Sequence, residues 1–153
     1  MSENVVTLEV FRYDPDAEDR QDAGFETFEV PVAEGGTVLD ALITARDEQD
    51  PSLTFRHSCR QGVCGSDALF VNGRQRLGCK TQVADLAEPI RIEPLPHRSV
   101  IKDLVVDMED FYDRMDAVEP YFQPDEPPPG DLEERRQSPE NREAIKESAR
   151  CIW

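Results

Sequence analysis

Three cysteines and one aspartate in the middle of this 153-residue chain have the spacing of a loop that wraps a metal centre. Four residues separate Cys59 from Cys64, two separate Cys64 from Asp67, and eleven separate Asp67 from Cys79. Thiolate sulfur is a soft and strongly donating ligand that suits iron. The rest of the domain must therefore fold so that the distant Cys79 returns to the loop that holds the other three side chains.

The spacing matches the plant-type ferredoxin pattern C-x4-C-x2-C with a distant fourth cysteine, except that Asp67 stands in place of the third. Gly62 and Gly65 let the backbone approach a cluster closely and turn its N–H groups toward the sulfurs. We therefore predict a [2Fe-2S] cluster. Its predicted metal ligands are Cys59, Cys64, Asp67 and Cys79. The residues predicted to surround it are Arg60, Gly62, Val63, Gly65 and Ser66.

The same residues allow other interpretations. Asp67 could be a solvated loop acid, in which case another group would complete the site. The cysteines with His57 or Asp67 could bind zinc, although structural zinc sites favour closer cysteine pairs. Disulfides or inert buried cysteines are further alternatives, but no secretory signal indicates an oxidising compartment. His57 and His97 lack a recognisable acidic or serine partner, so no catalytic residue is predicted.

The flanking sequence predicts a mixed sheet that packs on one helix. Alternation of apolar and polar residues, with the turn signal Asn72-Gly73, predicts strands at residues 6–10, 28–32, 68–71, 74–78 and 90–93. Thr37 and Asp40 form a short capping-box pattern ahead of an apolar helical face that includes Leu39 and Leu42. This order of elements indicates an α+β roll.

Beyond residue 100 the apolar spacing changes to three and four residues. This period predicts an amphipathic helix from Ile101 to Val118, whose apolar face needs a covering surface. A proline-rich linker follows at Pro120–Gly130, and Ser138-Pro139 begins a further short helix.

The charge of the chain excludes some functions. A net charge of -16 disfavours binding to nucleic acid or to anionic membranes. The acids are numerous while Lys80, Lys102 and Lys146 are the chain's three lysines, and this composition suggests a protein that works in concentrated salt, with an ordinary acidic cytosolic protein as the alternative. There is no leader peptide and no apolar run near the roughly 18 residues of a membrane span, so we expect a soluble, intracellular protein.

The run from Arg56 to Ala68, RHSCRQGVCGSDA, resembles the cluster loop of the iron-sulfur subunit of succinate dehydrogenase and fumarate reductase. Some members of that family also have Asp at the third ligand position. Leu77–Thr81 resembles the strand that carries the fourth ligand, and Pro94–Pro96 with residues 100–108 resembles the segment that leaves the first domain. The likeness extends from about Thr7 to the end of the chain.

The resemblance implies a β-grasp ferredoxin-like domain at residues 1–105. Residues 106–153 would then contain a helix, the linker and the opening of a helical ferredoxin domain that holds [4Fe-4S] and [3Fe-4S] clusters in the family. Cys151 matches the first [4Fe-4S] ligand, and the other cysteines of both later clusters are absent from this sequence. The chain is therefore expected to contain the first domain and a truncated start of the second.

The resemblance also implies a function. In the family, electrons from succinate oxidation at the FAD of a flavoprotein subunit enter the [2Fe-2S] cluster and pass through the second domain to quinone at membrane anchor subunits. An electron-transfer subunit with no substrate site of its own is expected, in the cytoplasm and peripheral to the inner face of the cell membrane. A free-standing [2Fe-2S] ferredoxin and a zinc-stabilised interaction module are the alternatives. The apolar face of the predicted helix from Ile101 argues against the free-standing carrier.

Overall fold

The structure, a computed structural model, describes residues 4–18, 22–119, 130 and 136–146. The chain divides into two compact units, residues 1–108 and 109–153. Most of the predicted linker and the whole of the segment around Cys151 lie outside the described residues. The functional domain boundary between residues 105 and 106 stays a prediction.

The first unit is built on a mixed sheet and one helix. Its elements are β1 (Asn4–Arg12), β2 (Gly24–Val32), α1 (Val38–Glu48), β3 (Ala68–Val71), β4 (Arg74–Leu77), β5 (Ile90–Glu93), β6 (Val100–Lys102) and β7 (Val105–Val106). The five-stranded sheet has the order β2-β1-β5-β3-β4. Strand β1 pairs parallel with β5 and antiparallel with β2, while β3 pairs antiparallel with β4 and β5. The predicted α+β class is confirmed.

Alternation along the strands places the core on one face of the sheet. On β1, Val6, Leu8 and Val10 are buried, whereas Val5 is 57% exposed. Burial of one such side chain contributes about 1.5–3 kcal/mol. A one-residue slip of β1 would expose all three buried side chains, so the hydrophobic pattern fixes the register. Strands β2, β3 and β5 supply further buried residues to the same core, namely Phe28, Val30, Val32, Leu69, Val71, Ile90 and Ile92.

Helix α1 begins as the sequence predicts. The Thr37 hydroxyl accepts a hydrogen bond from the Asp40 N–H at 3.2 Å, and the Asp40 carboxylate accepts one from the Thr37 N–H at 3.0 Å. This reciprocal pair satisfies two backbone donors that have no partner within the helix. The buried face of α1 packs on the sheet through Val38, Leu39, Ala41, Leu42 and Ala45.

The hairpin of β3 and β4 also follows the prediction. Asn72 and Gly73 have φ angles of 46° and 77°, as a type I′ turn requires. The two-residue turn sets the pairing of Val71 with Arg74 and of Ala68 with Leu77. The two ends of this hairpin are therefore neighbours in space, and they carry Asp67 and Cys79.

The helix predicted to begin at Ile101 is wrong over its first half. Residues 100–106 form the antiparallel pair β6 and β7 with a register irregularity, and Asp103 takes the left-handed conformation at φ 45°. Leu104 and Val106 are buried in the first unit, with 4% of each exposed. Residues 101–108 therefore do not contribute to the apolar helical face that was expected to distinguish the chain from a free-standing carrier.

The second unit contains α2 (Glu109–Ala117) and α3 (Pro139–Lys146), and neither helix has a buried residue. Tyr112, Met115 and Val118 are 45%, 38% and 73% exposed. The predicted cap of α3 is confirmed, since the Ser138 hydroxyl accepts from the Asn141 N–H at 3.1 Å. Among the described residues, none of the helices is long and apolar enough to cross a bilayer.

Candidate metal centre

The cysteine loop, residues 59–67, directly precedes β3, and residues 49–58 connect it to the end of α1; none of this segment has regular secondary structure. Cys79 lies in one turn of 3-10 helix, Gly78–Lys80, that directly follows β4. The Gly78 N–H donates to the Asp67 carbonyl at 2.9 Å and extends the β3–β4 ladder past its last pair. The hairpin register thus explains why eleven residues separate Asp67 from Cys79, because the chain returns opposite its starting point.

Asp67 is buried, with 3% of its surface exposed, and is not a solvated loop acid. Its Oδ2 accepts a hydrogen bond from the Cys79 N–H at 2.5 Å. A Cβ built at Gly78 would lie 3.5 Å from Asp67 Oδ2 and 3.5 Å from Leu39 Cβ, so α1 packs closely behind this carboxylate. A buried carboxylate requires compensation by donors or by a cation.

The backbone of the cysteine loop is directed at the Cys59 sulfur. The N–H groups of Gln61 and Cys64 each donate to Cys59 Sγ at 3.4 Å. These donors, Gln61 first, with the Val63 N–H and the Cys64 side chain, lower the pKa of Cys59 to about 6. The loop therefore favours a thiolate at Cys59, the form that binds metal.

Cys79 has the opposite environment. Burial, followed by the hydrogen bond and the negative charge of Asp67, raises the pKa of the Cys79 thiol to about 11. The Gly62 N–H, directed at the same sulfur, opposes this shift. Because metal ligands are deprotonated, the Cys79–Asp67 side of the site must release a proton when a metal binds.

The four predicted ligands lie in two pairs. The Cys64 N–H donates to Cys59 Sγ at 3.4 Å, and the Cys79 N–H donates to Asp67 Oδ2 at 2.5 Å. Two donors on each side match a two-iron cluster, in which each iron takes two protein ligands. The soft thiolates, the anionic carboxylate and the inward N–H groups thus fit a [2Fe-2S] cluster. In the part of the chain that the structure describes, no three His, Cys, Asp or Glu side chains form a single-ion site.

The other loop residues have distinct positions. Arg60, Gly62 and Gly65 have φ angles of 56°, 72° and 70°, which turn the chain through the left-handed region. Val63 is 78% exposed at the surface of the loop. The Ser66 hydroxyl lies 3.1 Å from Cys64 Sγ.

The remaining candidates can also be placed. The thiols of Cys59, Cys64 and Cys79 are free rather than joined in disulfides. His57 packs against the Phe55 ring at 5.6 Å between centroids, and His97 is exposed. Cys151 lies outside the described residues, so its role as a [4Fe-4S] ligand stays a prediction.

The segment that enters the cysteine loop is held by contacts that the sequence did not predict. The Thr54 N–H donates to Asp103 Oδ2 at 2.9 Å, and Arg56 Nη1 donates to the Val106 carbonyl at 2.9 Å. Asp103 is fully buried and also binds Arg12 Nε at 3.0 Å. The sequence carried no local signal for these contacts, because they join residues about 50 to 90 positions apart.

Comparison with known proteins agrees with this geometry. A family model described as "2Fe-2S iron-sulfur cluster binding domain" matches residues 7–113. The structure is similar to a chain of the "Mycobacterium smegmatis Sdh1 complex in the apo form", with a TM-score of 0.77 and 30% identity. That likeness covers 99% of this chain and 61% of the solved chain.

Two curated relatives have similar names. The chain is 39% identical over 150 residues to the succinate dehydrogenase (ubiquinone) iron-sulfur subunit 1, mitochondrial, of Oryza sativa subsp. japonica. It is 40% identical over 148 residues to the fumarate reductase iron-sulfur subunit of Mycobacterium tuberculosis. The matches cover 97% and 96% of this chain but 53% and 59% of the relatives, so the chain spans little more than half their length.

Proposed function

The chain belongs to the family of 2Fe-2S iron-sulfur cluster binding domains, and from this membership we propose that it receives electrons for a succinate dehydrogenase or fumarate reductase. The proposal takes Cys59, Cys64, Asp67 and Cys79 as the ligands of the [2Fe-2S] cluster. The observation that carries the ligand assignment is the arrangement of these residues in two pairs, in which the Cys64 N–H donates to Cys59 Sγ and the Cys79 N–H donates to Asp67 Oδ2.

The residues of this chain have separate tasks at the site. The bound cluster supplies reversible one-electron redox chemistry. N–H groups from Gln61 and Cys64 stabilise negative charge on Cys59. The β3–β4 hairpin holds Asp67 and Cys79 together on the other side. Because these donors are fixed before an electron arrives, the site needs little rearrangement when its charge changes.

The partners are inferred from what the relatives are. We propose a flavoprotein subunit with FAD as the electron donor and membrane anchor subunits in the complete complex, which would place the chain peripheral to the inner face of the cell membrane. Residues 1–105 would form the cluster-bearing domain, and residues 106–153 would lead toward the [4Fe-4S] and [3Fe-4S] domain, with Cys151 as its first ligand. Quinone reduction would need those later clusters.

The test is co-expression with a tagged flavoprotein subunit of the same source, followed by anaerobic addition of succinate. We expect a one-to-one complex in which succinate bleaches the visible absorption of the [2Fe-2S] cluster. The flavoprotein alone and this chain alone with succinate are the controls. A cluster that only a chemical reductant can bleach, on a chain that does not bind the flavoprotein, would contradict the proposal and favour the free-standing carrier.

A further inference from the structure

The side chain of Lys80 lies across the backbone of the cysteine loop. A Cβ built at Gly62 would be 2.6 Å from Lys80 Cγ and 2.8 Å from Cδ, closer than real Cβ atoms approach other atoms. Gly62 also has φ +72°, which side-chain-bearing residues rarely adopt. The aliphatic part of Lys80 therefore occupies the space where any residue other than glycine at position 62 would place its side chain.

Hydrogen bonds hold the backbone on both sides of Lys80 in place. The Gly78 N–H donates to the Asp67 carbonyl, and the Thr81 hydroxyl donates to the Leu77 carbonyl at 2.9 Å. The Val38 N–H at the start of α1 donates to the Thr81 carbonyl at 2.9 Å. The backbone on both sides of Lys80 is thus bonded to the hairpin and to α1, so the residue whose stem contacts Gly62 is itself held in place.

The contact lies where the two halves of the site meet. Gly62 of the loop packs against Lys80, the residue after Cys79 in the turn, and the Gly62 N–H opposes the rise in the pKa of the Cys79 thiol. If Gly62 moved away from the turn, that donor and the enclosure of the Cys79 side would be lost together. The stem of Lys80 packs against Gly62 where a Cβ would lie, and so opposes this movement.

The charge of Lys80 belongs to an unusual region of an acidic chain. Residues 51–84 contain five basic side chains and a single acid, Asp67, whereas the whole chain has 17 basic and 33 acidic residues. The basic residues of this region are Arg56, Arg60, Arg74, Arg76 and Lys80. None of these five forms an ion pair with a described residue, whereas Arg12, Arg46, Arg91 and Lys102 each do.

We propose that Lys80 is a positioning residue with two separable effects, in which its aliphatic stem keeps the cysteine loop closed and its ammonium group favours the reduced cluster. The inference rests on the proposed [2Fe-2S] function. A cluster with four anionic ligands is negatively charged and gains one more negative charge on reduction. A cation on Lys80, the residue directly after the proposed ligand Cys79, therefore stabilises the reduced form more than the oxidised form.

Three variants of the full chain separate the two effects. Lys80→Met keeps an unbranched stem of similar reach but removes the charge, whereas Lys80→Ala removes both. Arg74→Met is the matched control for charge. It removes one cation from the turn end of the same hairpin, whereas the site lies at the other end, beyond Leu77. Arg74 and Leu77 are three residues apart along β4.

The first measurement is the rate at which each loaded variant loses its visible absorption to an excess of iron chelator. We expect Lys80→Ala to lose the cluster about fivefold faster than the unchanged chain, because a packed stem is missing. Lys80→Met and Arg74→Met should remain within about twofold of the unchanged chain. Equal loss rates in Lys80→Met and Lys80→Ala would overturn the role of the stem.

The second measurement is the one-electron reduction potential at low salt and in molar KCl. Both Lys80 variants should lower the equilibrium constant for reduction about threefold at low salt, which is roughly 28 mV at 59 mV per tenfold. Arg74→Met should have a smaller effect. The difference in potential between the Lys80 variants and the unchanged chain should shrink in molar KCl, where the Debye length is about 3 Å. The order of the variants in rate of cluster loss should stay the same, because packing of the stem is not screened by salt. An unchanged potential in Lys80→Met would overturn the role of the charge.

The third test uses the predicted overlap at Gly62. Gly62→Ala should accelerate cluster loss, because the new methyl group overlaps the Lys80 stem. In the double variant Gly62→Ala with Lys80→Ala that overlap is gone. The double variant should therefore lose the cluster more slowly than the two single effects predict when they are added. If the effects of the two substitutions on the rate of cluster loss simply add, the proposed contact between Lys80 and position 62 is wrong. If the unchanged chain binds a [2Fe-2S] cluster and every Lys80 variant keeps its loss rate and its potential, this inference alone is refuted. If the unchanged chain does not bind a [2Fe-2S] cluster, the proposed function is refuted as well.

Discussion

At the scale of single residues, Asp67 combines two tasks. It is a proposed iron ligand, and its carboxylate is also the acceptor for the buried Cys79 N–H. Carboxylate oxygen is harder than thiolate sulfur but has the same formal charge, so the total charge of the site is the same with either ligand. The substitution of Asp for Cys at this position therefore changes ligand hardness while it leaves the electrostatics of the loop unchanged.

We predict that Asp67→Cys keeps a [2Fe-2S] spectrum with a shifted potential, whereas Asp67→Ala loses the cluster. The alanine variant removes a ligand and leaves the Cys79 N–H without its acceptor, a defect that costs about 1–3 kcal/mol. Asp85→Ala, at an exposed aspartate of the same unit, is the control and should load normally. Iron and sulfide analysis of the purified variants gives the answer, and full loading of Asp67→Ala would remove Asp67 from the set of ligands.

At the scale of elements, the hairpin of β6 and β7 holds the segment that leads into the cysteine loop. Its turn residue Asp103 accepts hydrogen bonds from Arg12, from the Tyr13 N–H and from the Thr54 N–H at 2.9–3.0 Å. Arg12 is only 4% exposed and binds Asp50 and Glu26 through Nη1 as well. One buried cation thus joins β1, β2, the end of α1 and the hairpin.

We predict that Asp103→Ala lowers the free energy of unfolding by about 3–5 kcal/mol, because it removes one partner of a buried ion pair and leaves backbone donors unsatisfied. Denaturant titration of the purified chain measures the change. Asp85→Ala, an exposed aspartate in the same unit, should change the free energy by no more than about 0.5 kcal/mol. Equal effects of the two substitutions would show that the Asp103 contacts contribute little.

The same network predicts a dependence on pH. Burial opposes ionisation of Asp50, but hydrogen bonds from Ser52 and Arg12 outweigh it and hold the pKa of Asp50 well below its usual range. A lowered pKa in the folded state stabilises the fold above the unfolded pKa of about 3.9, and this stabilisation is lost as the pH falls below that value. The difference in melting temperature between the unchanged chain and Asp50→Asn should therefore be constant from about pH 6 to 8 and narrow below about pH 4. A difference that stays constant below pH 4 would contradict this assignment.

Local signals in the sequence were sufficient for some elements and not for others. The capping box at Thr37 and the Asn72-Gly73 turn are read from adjacent residues, so α1 and the β3–β4 hairpin could be predicted. The apolar spacing after Ile101 suits a helix equally well, and the strands form there because Asp103 binds Arg12, 91 residues earlier in the chain. The ligand set stays a prediction from spacing, whereas the burial of Asp67 and the packing of Lys80 on Gly62 depend on tertiary structure.

At the scale of the whole molecule, the distribution of charge is uneven. With a net charge of -16, the acidic side chains of the surface repel one another, whereas the region around the cysteine loop has an excess of cations. Salt screens exposed charges over about 3 Å at 1 M, so added salt should relieve the overall repulsion. The chain spans little more than half the length of the relatives it matches.

We predict that the melting temperature of the chain rises between low salt and molar KCl, because the screened repulsion among 33 acidic residues favours the compact state. Scanning calorimetry or circular dichroism at matched cluster loading measures the shift. Molar KCl and molar NaCl should act alike if screening is the cause. No stabilisation by either salt would sink the interpretation of the composition as an adaptation to salt.

The most direct test of the central claim is anaerobic purification of the chain, with iron and sulfide analysis and an EPR spectrum after reduction. The account predicts two irons and two sulfides per chain and a rhombic signal of a reduced [2Fe-2S] cluster. A colourless chain that contains zinc in place of iron and sulfide would contradict it, because the cysteine loop and the Cys79 turn would then hold a structural ion instead of an electron carrier.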